Sequence, residues 1–360
     1  MTAEKTETNG ERIFTGNVFI FHAFDVSDEI NLNAVKDAEH IITRPFIIPK
    51  FFKNYHMPLE IDLPHPHSSS ACQSVRLHNF GTISLTYKVP FNDTLENVRE
   101  NIEALEHKYQ EQSVIDAGNV YKAIKKYVKS GKFFNTRASY IAIQVDAQED
   151  TLETAQLKEQ YGSVIASMLR FETQTLSELQ KKDILESAIS YFKGELIIVD
   201  TDAAFVYDPD YQEILYIFEF ANLQSLELRF FDRLLDQKIN TIYEEKAIRL
   251  PLRAYLPFIG STRRSPVDEL SQLKVDIQVI IERMESSLRL VGEPYFSELY
   301  EMLVDKLDLQ GWRSAITQKL DIIGEIQSVV QHKVDSVRGD MLEVLIIILI
   351  FIELLIALWH

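Results

Sequence analysis

Apolar positions along this chain change rhythm from strand-like alternation to helical spacing and end in a nearly continuous run. Val18 to Val26 (V-F-I-F-H-A-F-D-V) is aromatic and β-branched, as a buried strand is, and Ser27-Asp28-Glu29 then caps a helix over Ile30 to Ile42. A second extended region runs from Ser74 to Phe91, where Thr82, Ser84 and Thr86 alternate with Ile83, Leu85 and Tyr87. A Pro- and His-rich connector, Met57 to Ser70, separates the two. Asn92-Asp93-Thr94 caps a helix from Leu95 to about Gln110. Ser139 to Val145 reads as a third strand, followed by helices near Leu152–Arg170 and Glu172–Tyr191. Gly194 punctuates before a fourth strand, Glu195–Val206. There are too few crossover helices here for a doubly wound sheet.

After Asp210 the pattern is helical. Tyr211 to about Ile248 carries Leu226, Phe230, Leu234 and Ile239 along one side, and a loop with Pro251, Pro257, Gly260 and Pro266 ends it. Leu270, Leu273, Ile277, Ile280, Met284, Leu288 and Val291 then recur at spacings of three and four, a heptad seam. Such a seam serves either as the core of an intramolecular helix pair or as a contact between subunits. Gly292 and Pro294 stop this helix and start the next. A last polar helix, Arg313 to Asp340, leads into Met341–Trp359, where 17 of 19 residues are apolar. A helix of that length rises about 28 Å, the hydrocarbon thickness of a bilayer, so a transmembrane helix is expected. Glu343 and Glu353 are the two exceptions; Glu343 sits at the entry, where it can reach water, and Glu353 lies about ten residues deeper. A carboxylate at that depth is costly unless it snorkels, takes a proton or pairs with a neighbouring subunit. The expected class is α+β, with residues 1–12 a disordered leader, 13–208 a mixed α/β domain, 209–340 helical and 341–359 membrane-spanning.

Composition narrows the setting. Against 37 basic residues stand 54 acidic ones, a net charge of −17, which disfavours general coating of nucleic acid and suits a soluble bulk facing cytoplasm. The single cysteine, Cys72, excludes an intramolecular disulfide and a cysteine-rich zinc module. The N-terminus shows neither a secretory signal nor an arginine-rich transit pattern. Lys333 and Arg338 sit among Asp335 and Asp340, so the positive-inside rule decides little about orientation.

Several short words are similar to the "required for meiotic nuclear division" family, a domain of unknown function. They are A-F-D-V-S-D-E-I-N-L (Ala23 to Leu32), H-N-F-G-T-I-S-L (His78 to Leu85), and, toward the C-terminus, Pro294, Tyr295, Phe296, Leu299, Tyr300, Lys319, Leu320, Leu342, Glu343, Ile346 to Ile350 and Glu353. Phe24 stands where that family has Tyr, and the aromatic pair that usually follows its Gly-centred strand is absent. The resemblance implies an α/β N-terminal part, a helical C-terminal part, a membrane-proximal location, a link to organellar translation and no established catalysis. Without a transit peptide, it points to a bacterial member at the cytoplasmic face of the inner membrane rather than a mitochondrial one.

Candidate chemistry is sparse. Glycine-rich phosphate loops and nucleophile elbows are missing. His56, His65, His67 and His78 with Cys72 lack metal-ligand spacing, and a surface loop is the better reading; no cofactor or metal is assigned. Asp200, Asp202, Asp208 and Asp210 flank a strand end, where carboxylates can hold Mg²⁺, giving an alternative reading as a metal-dependent hydrolase or nucleotidyl-type enzyme. Glu227, Arg229, Asp232, Arg233 and Asp236 pair within their helix or, packed against another element, form a buried network. Inside this acidic chain the window Ala117–Val145 has no acid and holds Lys122, Lys125, Lys126, Lys129, Lys132 and Arg137. Its first four lysines share one face of a helix. A second such window, Lys246 to Val267, carries Arg249, Arg253, Arg263 and Arg264. These faces are solvated, or they meet anionic lipid or RNA phosphates, with a ribosome as one possible partner. No small-molecule substrate is identified. The expectation is a non-enzymatic, tail-anchored scaffold in contact with membrane lipid, homo-oligomeric through a seam of Leu270, Leu273, Ile277, Ile280, Met284 and Leu288.

Overall fold

A computed structural model describes residues 12–45, 57–63, 71–129, 131, 137–147, 152–192, 194–244, 266–287 and 294–359. The chain divides into two compact units, Met1–Glu227 with Met284–Gln310, and Leu228–Arg283 with Gly311–His360. The class is α+β, as the patterning predicts.

The first unit begins with β1 (Phe14–Asp25), β2 (Glu29–Ile30), the short helix α1 (Leu32–Lys36), β3 (Thr43–Arg44) and β4 (Leu59–Ile61). Then come β5 (Cys72–Leu77), β6 (Thr82–Asp93), α2 (Leu95–Ile124), β7 (Val128–Lys129) and β8 (Arg137–Val145). They are followed by α3 (Thr154–Leu169), α4 (Glu178–Glu186), β9 (Ala188–Ile189), β10 (Leu196–Val199), β11 (Ala203–Tyr207) and the long helix α5 (Tyr211–Glu244). Nine strands form one sheet in the order β3-β4-β5-β6-β1-β8-β11-β10-β9, while β2 and β7 pair separately. Only β8 and β11 run parallel among these neighbours, joined by a crossover through α3 and α4. The rest are antiparallel.

Alternation sends the two sets of side chains to different layers. Val18, Ile20 and Phe24 of β1, Leu85 and Tyr87 of β6, and Ile141 and Ile143 of β8 join Leu95, Ile102 and Val120 of α2 and Leu157 and Ile165 of α3 in one core. The opposite face meets the first half of α5, where Ala23 and Ala138 pack on Leu223 and Leu226.

Several expectations about this unit change, among them the helix near Glu172–Tyr191, which shortens to α4 and gives way to β9. The helix expected over Ile30–Ile42 shrinks to α1, because the Ser27-Asp28-Glu29 segment goes into β2 and its turn, and Asn31 is the residue that caps, accepting from Ala34 N–H. The extended region Ser74–Phe91 is a hairpin. His78 N–H donates to Thr82 O, and Gly81 adopts φ +98°, with Ser27 O only 1.6 Å from where a Cβ would sit. The strand Glu195–Val206 is likewise the hairpin β10–β11. Helix α2 starts at its Thr94 cap, which accepts from Asn97 N–H, and passes the expected end near Gln110. Buried Ser113, Asp116, Ala117, Val120 and Ile124 carry it further along the sheet.

In the second unit the remainder of α5 lies with α6 (Pro266–Ser287) and α8 (Leu309–Trp359); α7 (Pro294–Lys306) belongs to the first unit. Phe231, Leu235, Ile277, Ile316 and Ile323 are buried here. Lys319 Nζ reaches both Asp232 and Asp236, at 2.6 and 2.7 Å, across from α8 to α5. The polar helix Arg313–Asp340 and the apolar run Met341–Trp359 are one element: α8 is continuous over 51 residues.

Candidate functional site

The face of the sheet beneath α5 carries polar side chains at positions where the other face carries aliphatic ones. Arg76 of β5 donates to Glu60 of β4 at 3.0 Å and to Glu219 of α5, and its guanidinium lies over the Tyr216 ring at 4.9 Å. Ser84 Oγ donates to the other oxygen of Glu219 at 2.6 Å. About two turns further along α5, Glu227 accepts from the Thr82 hydroxyl. Burial, with the nearby Asp25 carboxyl, holds Glu227 well above the usual carboxylate range. Asp25 is pushed up to about 7 by burial, helped by Asp28 and opposed by a hydrogen bond from the Ser27 backbone. The network opens onto a cleft of about 650 Å³ lined by Arg44, Glu60, Arg76, Lys88, Tyr216 and Glu219 among others. Arg44 pairs with Asp62, and Lys88 sits over Phe19 at 5.6 Å. The cations therefore face carboxylates or rings of the same chain.

The acidic candidates do not converge. Asp200 ends β10, is fully buried and ion-pairs with Arg170 at 2.6 Å; burial raises its pKa, against the opposing pull of Arg170. Asp208 lies beyond the far end of β11 and accepts from Asp210 N–H and from the Tyr295 hydroxyl, both at 2.8 Å. Five residues of strand separate them, about 16 Å. Asp202 accepts from the neighbouring Thr201 hydroxyl. Among the described residues no three His, Cys, Asp or Glu side chains are grouped to hold a metal ion. His56, His65 and His67 lie outside those residues. His78 is buried with its pKa lowered to about 3, by burial and by Arg76, and burial raises Cys72 to about 12.

The four lysines do not share one helix face. Helix α2 ends at Ile124, Lys125–Tyr127 forms a 3-10 turn, and Lys129 lies in β7 opposite Glu29. The cause is Val128, which enters the β2–β7 pair and ends the helix. Lys122, Lys125, Lys126 and Lys129 remain exposed, with Lys126 over the Tyr127 ring at 4.9 Å. Arg137 reaches the Gln110 carbonyl of α2 at 3.4 Å, while Lys132 and the arginines of the second basic window lie outside the described residues. In the heptad seam, Ile277 is buried within the chain itself, and Lys274 Nζ reaches Leu320 O of α8 at 3.4 Å. That part of the seam is a helix-pair core. Leu273 and Ile280 are half-buried, the side chains of Leu270 and Met284 are not described, and Leu288 lies outside the described residues. Of the charged stretch in α5, Glu227 and Asp232 do enter buried networks, while Arg229 stacks over Trp312 at 5.9 Å. Sequence reasoning missed Glu219, Arg76 and Ser84; the polar members of β5 and β6 were the available signal.

In α8, every residue from Leu342 to Trp359 is exposed, Glu353 among them. Among the described residues this is the one helix long and apolar enough to cross a membrane.

An α+β unit built on a mixed nine-stranded sheet, carried on a chain with one membrane-length apolar helix, is thus the class of protein defined. The family model described as "Uncharacterized protein MJ0711, N-terminal domain" matches residues 15–213, more than half of the chain, and the chain belongs to that family. It is similar to uncharacterized protein MJ0711 of Methanocaldococcus jannaschii, 27% identical over 199 residues, which cover 54% of this chain and 59% of that protein. The match thus spans under two thirds of the relative's length. No solved structure matches the chain.

This membership overturns the resemblance to the meiotic nuclear division family. The words that carried it were mostly apolar, and any buried strand or membrane helix supplies such words. The best of them, Pro294 onward, lie outside the matched residues.

Proposed function

We propose that this protein is a membrane-anchored, non-enzymatic tether, with residues 341–359 spanning the bilayer and the α+β unit displayed on the cytoplasmic side. The observation that carries the reading is the uncovered apolar surface of α8. Leu345 to Ile352 are each at least 40% exposed, and Trp359 is 95% exposed. Apolar surface this extensive and contiguous exceeds what a soluble monomer leaves in water. Lipid is the cover that matches its length. The flanking segment from Gln331 to Asp340 is polar, as a membrane boundary requires. Self-association remains part of the proposal, but its contacts shift away from buried Ile277 toward exposed positions such as Val275 and Val279 of α6 and Glu353 of α8.

The test is alkaline carbonate extraction of membranes from cells expressing the full chain. Retention in the pellet is expected, with release on Ile348→Asp plus Ile352→Asp. Complete release of the wild type into the supernatant sinks the anchor. Mass photometry in detergent then reads the oligomer, and a monodisperse monomer removes that part of the proposal.

A further inference from the structure

Helix α8 turns one line of side chains into the second unit. Ile316, Leu320 and Ile323 are buried, Lys274 Nζ reaches Leu320 O at 3.4 Å, and Gln327 donates to Ser271 Oγ of α6 at 3.0 Å. These positions step by three and four, which is heptad spacing. The line on the opposite side keeps the same spacing, from Ile322 and Val329 through Ser336 and Gly339 to Ile350 and Glu353. All six of these residues are exposed.

Each half of that line is mismatched to the solvent around it. On the water side, Ile322 is 39% and Val329 67% exposed. On the lipid side stands Glu353, about 9 Å along the helix from Trp359, where a lone carboxyl is costly. It makes no hydrogen bond or ion pair among the described residues, and α8 carries no basic residue from Gly339 to Trp359. Lipid cannot cover the first half, and water does not reach the second. One kind of surface suits both, a protein helix that crosses from water into lipid alongside α8. Gly339, at the boundary, leaves room for it, because nothing lies within 4 Å of where its Cβ would sit. Small residues let the backbones of membrane helices approach in this way. Glu325 and His332 also fall on the line and keep its water half the weaker one.

We propose that two copies of this chain pair in parallel along this line of α8, their Glu353 carboxyls facing each other across a twofold axis within the bilayer. A second copy enters the bilayer at the same height, so each residue on the line meets its own counterpart. Glu353 thereby meets a group at its own depth. A protonated carboxyl donates to its neighbour's carboxylate, so the pair supplies donor and acceptor without a cation. The 3.5-residue repeat makes the two helices wind left-handed about each other. The proposal rests on the membrane-anchor reading, and it names the partner and the face of the self-association.

The test is cysteine cross-linking of the full chain in lipid vesicles, in a Cys72→Ala background. Ile346→Cys and Ile350→Cys lie on the line, while Ile348→Cys and Leu355→Cys lie on the far side of the helix. Mild oxidation is expected to give disulfide dimers several-fold faster at the first two positions. All four side chains are exposed, so the variants stay folded, which circular dichroism checks. In the Ile350→Cys protein, Glu353→Gln still donates and accepts and keeps the dimer, whereas Glu353→Leu lowers its yield several-fold. Equal rates at all four positions, no disulfide at any of them, or an unchanged yield with Glu353→Leu overturns the pairing. Alkaline carbonate separates this failure from that of the anchor. Retention in the pellet without face-dependent cross-linking overturns the pairing alone, and release of the chain overturns both.

Discussion

The two faces of the sheet solve the same packing problem with different chemistry. Toward α2 and α3 the strands present Val18, Ile20, Leu85, Ile141 and Ile143, and the layer closes as an aliphatic and aromatic core. Toward α5 the same strands present Thr82, Ser84, Arg76 and Asp25, and the helix answers with Glu219, Asn222, Gln224 and Glu227. Here Asn222 donates to Ala138 O at 3.3 Å, and Gln224 accepts from the Tyr300 hydroxyl at 2.6 Å. An apolar layer tolerates changes that preserve volume. A buried polar layer tolerates none that leaves one partner alone. The α5 face should therefore be the more specific of the two and the more fragile.

The sharpest way to break that contrast is Arg76→Met. It leaves Glu60 and Glu219 facing each other without their cation, and a loss of about 3–5 kcal/mol is expected in denaturant unfolding. Adding Glu219→Met should recover part of the loss, because it removes one of the two buried carboxylates left without a cation, while Ser84 and Glu60 still lack their partners. No recovery in the double variant means that the network is not a unit. On the opposite face, Leu85→Ala should cost about 3 kcal/mol by deletion of buried methyl groups, with Leu85→Met below 1.5 kcal/mol. Equal costs for the two Leu85 variants contradict the tolerance assigned to that face.

The same contrast explains what could be read in advance. Alternation exposes an apolar face directly, so β1, β6, β8 and the α+β class were legible from Val18–Val26, Thr82–Thr86 and Ser139–Val145. The polar face was visible only as half of an alternation, which equally describes a solvated surface. Nothing local distinguishes a Ser84 that meets Glu219, 135 residues away, from one that meets water. Turn geometry hid similarly: Gly81 lay inside a region read as one extended strand, and neither its φ of +98° nor the approach of Ser27 O is legible locally. Of the candidate sites, Glu227 was legible as a charge inside an apolar helix. The contact between the Tyr191 and Tyr295 rings was not, because the two are brought together from positions far apart in the chain.

Titration separates the faces by sign. Asp25, on the α5 face, has a folded pKa raised to about 7 from an ordinary 3.8. The folded state holds that proton more tightly than the unfolded chain. The associated stability is fully present below pH 4 and is lost as pH rises through about 7. Asp25→Asn keeps the shape without the charge. It should stabilise the protein at pH 8, where Asp25 is otherwise charged beside buried Glu227, and give no such gain at pH 4. An equal gain at both pH values shows that charge is not the cause.

On the α2 face the sign reverses at His22, and the effect is smaller. Its Nδ1 lies 2.7 Å from Ser139 Oγ, its ring meets Tyr87 at 6.0 Å, and it is wholly buried. Burial, with Arg137 nearby, lowers its pKa from 6.5 to about 3. The unfolded chain therefore takes the proton first on acidification. The stability contributed by neutral His22 is complete above pH 6.5 and drains away as pH falls toward 3. At pH 5.5, one unit below the unfolded value, the loss is about 1.4 kcal/mol. His78, depressed in the same direction, adds a parallel slope of its own, so the informative quantity is the difference between variant and wild type. His22→Gln can still bond Ser139 but cannot protonate in this range. Whatever its cost at pH 7.5, that cost should shrink by about 1.4 kcal/mol at pH 5.5. A pH-independent difference in urea midpoints places the titrating group elsewhere and removes the opposition in sign between the two faces.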